Sequence, residues 1–396
     1  MGANGAKRGL HLAAGLTPSV VRLGLVSFFA DVASEMLYPL TPVFLTAVLG
    51  APMAVVGCIE GLAEATASLL KTVTGRLSDR SGRRRPYVFC GYALSAVAKP
   101  IIGLAHGWPL VLAGRVGDRF GKGVRTSARD ALLADSVPAE VRGRAFGWHR
   151  AMDTLGAVVG PLLALVLLAA THNNLRLIFA LSFFPGAIGA LLVLAVREQR
   201  RQPQRAEAVS IGYGKLPPAF RGYLIAWGLF SLSNSSDVFL LLRAKGLGES
   251  AVGVVWMYAL YNLVYAVASP ALGGIADRWG RKKVLTAGLV VFALVYAGFG
   301  AATQRWQLWL LFSVYGLYTA ATDGVGKALA VELVPTGIQA SAVGLLGTVT
   351  GLTTLVASCV AGGLWSAVGP WATFAFGAGG AVVGAILLTR VQGTRE

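Results

Sequence analysis

Hydrophobic residues in this chain come in long runs, without the strict alternation of a half-buried strand or the single apolar stripe of a surface helix. A bilayer core about 30 Å thick needs about 20 apolar residues per helix. Windows of that order fall near residues 19–46, 53–74, 86–105, 108–130, 143–170 and 175–196, and again near 219–243, 250–273, 284–303, 306–333, 338–366 and 370–390. Taken as helices 1 to 12 in chain order, they predict an all-α membrane protein of twelve transmembrane helices in two six-helix pseudo-repeats. The one long polar interruption, Arg197–Arg221, is rich in Arg, Gln and Pro and has no apolar period, so it reads as a linker. The expected organisation is an N-terminal six-helix bundle over 1–196, a cytoplasmic linker over 197–221 and a C-terminal six-helix bundle over 222–396. Lys7 and Arg8 ahead of the first window resemble the start of a secretory signal. Comparable windows follow and no convincing cleavage site appears, so the first window is expected to be retained.

Composition agrees with lipid as the main solvent: 55% of the 396 residues are hydrophobic and 13% charged, an apolar excess too large for a water-facing surface. A net charge of +17 raises nucleic acid as a partner. The cations, however, gather in short segments between apolar runs, which makes them a topology signal and argues against nucleic acid. Arg80, Arg83, Arg84 and Arg85, then Arg142 and Arg144, the 197–221 linker, and Arg278, Arg281, Lys282 and Lys283 all fall in even-numbered connections. Arg176, Arg243, Lys245 and Arg305 are the exceptions on the other side. Both termini are therefore expected in the cytoplasm, with the chain in a bacterial-type inner (plasma) membrane. Cys58, Cys90 and Cys359 sit inside apolar runs without metal-ligand spacing, so no metal site and no disulfide framework are expected and the three read as packing residues.

The halves repeat. GRLSDRSGRRR at Gly75–Arg85 matches GGIADRWGRKK at Gly273–Lys283, and ALLADSVPAEVRGRAFG at Ala131–Gly147 aligns with ALAVELVPTGIQASAVG at Ala328–Gly344. Such internal similarity marks duplication of a six-helix unit. The doubled G-x-L/I-S/A-D-R-x-G-R-R/K segment resembles the loop signature of the major facilitator superfamily, and it stands where that family carries it, between helices 2 and 3 and between helices 8 and 9. The resemblance covers essentially the whole chain. It implies a secondary carrier that works by alternating access, usually without a cofactor, and a gating role for Gly75, Asp79, Arg80, Gly82, Arg83, Gly273, Asp277, Arg278, Gly280 and Arg281. Physically, the glycines permit a tight turn and close packing, and the aspartate can accept from a helix N-terminus or pair with an arginine.

Helix 5 carries Gly147, Gly156, Gly160 and Pro161, a spacing similar to the motif of drug and proton antiporters within that superfamily. The family pattern ends in two glycines where this chain has Ala164 and Leu165, and glycines at this spacing also serve plain helix packing. Helix 4 departs further from the antiporter pattern. Arg115 is followed by Asp118, Arg119, Lys122, Arg125 and Arg129, all within an arc of about 120°.

Matching polar faces occur on helix 1 (Asp31, Ser34, Glu35, Tyr38), helix 2 (Glu60, Glu64, Ser68, Lys71) and helix 5 (His149, Asp153). With a rise of 1.5 Å per residue, Asp31, Glu64, Arg119 and Asp153 each lie roughly 15 Å from a helix start, close to the midplane. Charges at that depth cost at least about 2.5 kcal/mol each and need a wet cavity or one another. Asp31, Glu35, Glu60, Glu64 and Asp153 are the proton-coupling candidates; a salt-bridge network that only holds helices together is the structural alternative. Substrate-cavity candidates are Arg115, Asp118, Arg119, Lys122, Arg125 and Tyr38, with Asn234, Asp237, Tyr261, Asn262 and Asp323 in the mostly uncharged second half. Proton handling is thus expected in the first half and shape recognition in the second.

The expected activity is proton-coupled export of a small organic solute, with the proton gradient as energy source and no cofactor. An organic-anion symporter or exchanger using the cationic face of helix 4 is the alternative, since arginine suits carboxylate and phosphate. Partners are the lipid bilayer, a small solute and protons, with no obligate protein partner. An enzyme is not expected: no HExxH, GxSxG or GxxxxGK[ST] segment is present.

Overall fold

The computed structural model describes residues 17–138, 142–198, 216–335 and 338–391, and their side chains except at 72, 76, 79, 80, 142–144 and 339–341. Every regular element among these residues is helical. In order they are α1 (Pro18–Glu35, continued by Leu40–Val43 and a π-turn at Phe44–Val48), α2 (Met53–Ser81), α3 (Arg85–Gly103), α4 (Trp108–Asp135), α5 (Arg142–Ala170) and α6 (Leu175–Leu181 with Phe183–Leu194). The second series is α7 (Pro218–Ser231 with Val238–Gly246), α8 (Ala251–Trp279), α9 (Arg281–Ala301), α10 (Arg305–Glu332), α11 (Gln339–Ala367) and α12 (Pro370–Arg390). Together they are the twelve transmembrane helices of two six-helix repeats.

Helix starts follow local chemistry. The side chains of Thr17, Asn174 and Ser250 each accept from a first-turn backbone N–H, and prolines stand at the first turns of α1, α3, α7 and α12, where no N–H is needed. Apolar side chains cover the outside: Val166, Phe184, Val267, Leu294 and Trp306 are all more than 60% exposed, as expected of a surface solvated by lipid.

Seven described helices are long and apolar enough to cross a membrane on composition alone. The sequence windows predict twelve apolar spans, and the difference has physical causes. Helices α1 and α7 are not continuous. The chain between Ser231 and Val238 reads Leu-Ser-Asn-Ser-Ser-Asp, whose side chains compete for backbone partners; Ser236 Oγ accepts from Val238 N–H at 3.4 Å. Helix α4 is a span interrupted by its own charges.

The chain divides into two compact units. One contains the described residues up to Tyr38, Leu69–Ala105 and those of Pro109–Glu207; the other contains Pro39–Ser68, His106–Trp108 and the described residues from Leu216 onward. Within the first, α1 packs on α5 and α6, and α3 on α6. Within the second, α7 and α9 both pack on α12, and α10 lies against α8 and α9. The pairings α1–α6 and α3–α6 thus recur as α7–α12 and α9–α12.

Candidate functional site

In the first unit, the charged face of α4 is shared between two neighbours. Lys99 of α3 donates to Asp118 Oδ1 at 3.0 Å and to the Ser95 carbonyl at 3.1 Å, and Arg115 lies 4.0 Å from Asp118 Oδ2. Arg125 donates to Ser95 Oγ at 2.7 Å and stacks over the Tyr92 ring at 4.4 Å. All four ionic side chains belong to residues no more than 6% exposed. They can be so deep because α3 and α4 cross on glycine: a Cβ on Gly91 would sit 2.6 Å from the Gly121 carbonyl, and one on Gly114 2.5 Å from Ile102. Arg115, Asp118 and Arg125, expected to line a cavity, are therefore turned toward α3. Arg119 and Lys122 remain half-buried.

On the other side of α4, Asp31, Glu35 and Asp153 gather at the crossing of α1 and α5. Asp31 is half-buried, and the charges bearing on it are Asp153, Glu35, Lys122 and Arg125. His149 Nδ1 lies 3.5 Å from Asp153 Oδ2, one turn along α5, and Arg129 reaches across from α4 to Ser27 Oγ at 3.3 Å. The helix-5 glycines form this crossing. A Cβ on Gly156 would lie 2.9 Å from the Asp31 Cβ, and one on Gly160 3.0 Å from the Glu35 Cβ, so the α5 backbone lies directly beneath both acids. Pro161 is buried inside α5, and Gly147 faces open space. Buried Glu60 and half-buried Glu64 belong to the second unit, with the first part of α2.

The second-half candidates also lie in that unit. Tyr315 of α10 donates to Asp237 Oδ1 at 2.6 Å, just beyond the break in α7, and Tyr265 of α8 donates to Asp323 Oδ2 at 2.9 Å. Lys327 completes Asp323 at 2.6 Å. Tyr261 stands between these bonds, with ring centroids 5.4 Å from Tyr315 and 6.5 Å from Tyr265. Asn262 donates to the Tyr258 carbonyl at 3.0 Å, and Asn234 lies in the α7 break. Tyr38, at the bend of α1, belongs to the first unit.

The repeated loop motif ends α2 and α8 in the same way. Gly82 and Gly280, eighth in each copy, have φ of 62° and 96°, the left-handed conformation that terminates a helix and that a Cβ disfavours. Arg281 pairs with Asp277 at 3.3 Å and with Glu332 at the end of α10 at 3.0 Å. In the first copy Arg84, one place later in the motif, pairs with Asp135 at the end of α4 at 2.6 Å. Asp135 and Glu332 are aligned positions of the second repeated segment. The carbonyls at the end of α6 accept from Arg85, and those at the end of α12 from Lys282. The side chains of Asp79 and Arg80 lie outside those described. Among the described residues the side chains of Arg83 and Arg278 make no hydrogen bond or ion pair; Gly75 packs against Ser127, and Gly273 faces open space.

Lys99, a base inside an apolar window that the sequence marks for pairing with the first-half acids, takes Asp118. Two features are not visible in the sequence. Ser95 and Tyr92 are partners of Arg125. Arg176 and Arg243, which broke the charge asymmetry, donate to carbonyls at the ends of α3 and α9, where a cation meets the negative end of a helix.

Twelve helices in two repeats, ionic clusters between those helices and the duplicated loop define a multi-pass membrane transporter of small solutes. The family model for the Major Facilitator Superfamily matches residues 23–255 and 224–395, and the chain belongs to that family. It is 33% identical over 379 residues to an uncharacterized MFS-type transporter of Methanocaldococcus jannaschii, covering 94% of each chain. It is also 26% identical over 327 residues to the multidrug resistance protein MdtH of Salmonella arizonae, covering 78% of this chain and 76% of that one. Among solved structures, the human organic anion transporter MFSD10 superposes with a TM-score of 0.69 at 18% identity, over 94% of this chain and 100% of that one, which speaks for the fold alone.

Proposed function

We propose that this protein is a proton-coupled exporter of small organic solutes that works by alternating access, with both termini in the cytoplasm and the chain in a bacterial-type plasma membrane. Its halves are residues 1–196 and 222–396, joined by the 197–221 linker. The observation that carries the reading is the convergence of Asp31, Glu35 and Asp153 at the α1–α5 crossing, with Lys122 and Arg125 bearing on Asp31. Three carboxylates drawn together repel one another, so taking up a proton there relieves repulsion and releases a cation from its pairing. Proton uptake at Asp31 and solute binding then compete for the same charges. The second half supplies recognition through Tyr261, Asn234, Asn262, Asp237 and Asp323, and the repeated loops act as gates through Arg84–Asp135 and Arg281–Glu332. Similarity to a multidrug resistance protein supports export.

Arg119 and Lys122, on the part of the α4 face that is not turned into α3, support a second reading, exchange of organic anions. One experiment separates the two. Purified protein in proteoliposomes with an imposed pH gradient is given lipophilic drugs, metabolite anions and sugar phosphates in turn, beside the Asp31→Asn variant. Drug-induced collapse of the gradient in the wild type alone supports proton-coupled export. Solute movement without proton flux removes that reading, and if the solute is anionic it favours exchange.

A further inference from the structure

We propose that Cys58 of α2 and Cys359 of α11 form a disulfide-bonding site whose oxidation ties these two helices together and arrests the carrier. Their Sγ atoms are 3.0 Å apart, so roughly 1 Å of approach brings them to a bond length of about 2.05 Å. Both cysteines are half-buried and lie in the same compact unit. Cys90, on α3, is exposed and belongs to the other unit.

The seam around the pair brings the two backbones together. A Cβ on Gly61 would meet the Leu355 Cα at 2.9 Å, and one on Gly362 would meet the Ala54 Cα at 2.8 Å; one on Gly57 would overlap the Ser358 carbonyl. Ser366 Oγ accepts from the Ala54 N–H at 3.3 Å at one end, and Ser68 packs on Gly351 at the other. Cys58 follows Gly57 and Cys359 follows Ser358, so the thiols face each other near the middle of a glycine-lined crossing of the kind that lets membrane helices approach most closely.

The consequence for transport rests on the carrier reading above. Helix α2 comes from the first repeat and α11 from the second, and alternating access requires the repeats to part on one face at a time. The seam lies at the end of α2 remote from the Arg83–Arg85 loop, so a covalent tie holds that face shut. The chemistry is thiol–disulfide exchange: a low-molecular-weight disulfide such as oxidised glutathione accepts the two electrons and two protons of the Cys58 and Cys359 thiols and leaves as two thiols.

The test uses the full chain in nanodiscs, treated with oxidised glutathione or with dithiothreitol, then denatured and labelled with a polyethylene-glycol maleimide. Three labels per reduced chain and one per oxidised chain are expected, the remaining one being lost in Cys90→Ser. A thiol left without a partner can only be capped by glutathione, so an adduct seen by intact mass is counted as a label; on that count the Cys58→Ser and Cys359→Ser variants keep two under either treatment. Three labels after oxidation overturn the site. Deuterium uptake over residues 53–68 and 351–366 should fall on oxidation and recover with dithiothreitol; one label with unchanged uptake overturns the tie. In proteoliposomes, solute-driven proton flux should drop at least tenfold on oxidation, and full flux from the singly labelled protein overturns the arrest. Reduced protein that moves none of the panel refutes the carrier reading by itself, while label count and uptake still decide the disulfide.

Discussion

Asp118 is the residue whose removal should cost the first repeat most. Its carboxylate lies 3.0 Å from Lys99 and 4.0 Å from Arg115, in a crossing where those groups and Arg125 are almost fully buried. Asp118→Asn leaves its cationic neighbours facing a neutral amide, whereas Lys99→Met removes one cation and leaves Arg115 beside the carboxylate. Breaking a buried pair costs about 3–5 kcal/mol when one charge is stranded. At about 2–4 °C per kcal/mol for a unit of this size, Asp118→Asn should lower the melting temperature by on the order of 10 °C, with Lys99→Met falling less. The double variant Lys99→Met, Asp118→Asn should recover part of the loss, because the two effects are coupled. The assay is thermal unfolding in nanodiscs, followed by intrinsic fluorescence. Melting of Asp118→Asn within 2 °C of the wild type, or a Lys99→Met variant less stable than Asp118→Asn, would refute the view that this cluster is a balanced structural network.

The other expectations address the remaining parts of the structure. Asp31→Asn should fold, since a half-buried acid under repulsion is neutralised, yet lose solute-driven proton flux; full flux in liposomes removes Asp31 from coupling. Gly156→Leu should disrupt the α1–α5 crossing, because even a Cβ there lies 2.7 Å from the Phe28 carbonyl; a cost of at least about 1–3 kcal/mol should show in melting. Gly147→Ala, which faces open space, should instead be neutral or gain up to about 1 kcal/mol in the same assay. Arg281→Gln breaks ion pairs to partners that are well exposed, so melting should change by only about 1 kcal/mol, whereas the rate of solute flux should change several-fold if the loop gates transport.

Much of the architecture was legible because lipid imposes a strict rule on sequence: a span must bury its own backbone and present apolar side chains along its whole length. The hydropathy windows and the duplicated loops express that rule or the gene duplication behind it; most of the 197–221 linker lies outside the described residues. The broken helices were less legible, since Asn234, Ser235, Ser236 and Asp237 in the middle of an apolar window look like a polar face until their backbone is seen to leave the helix. The charged face of α4 was visible as a 120° arc, but an arc has two edges. Which edge meets Lys99 depends on the rotation of α4 about its axis, set by glycine contacts at Gly91, Gly114 and Gly121.

The sequence by itself therefore determined the solvent, the number of helices, their grouping into repeats and the family, since each follows from local composition or internal similarity along the chain. Tertiary structure alone decided the pairings: Asp118 with Lys99, Asp31 with Asp153, Tyr315 with Asp237, and Cys58 with Cys359 across 301 positions of chain. The reason is that helical periodicity places a side chain on a face but leaves free the helix's rotation, depth and choice of neighbour, and those are settled only when small residues on several helices pack at once.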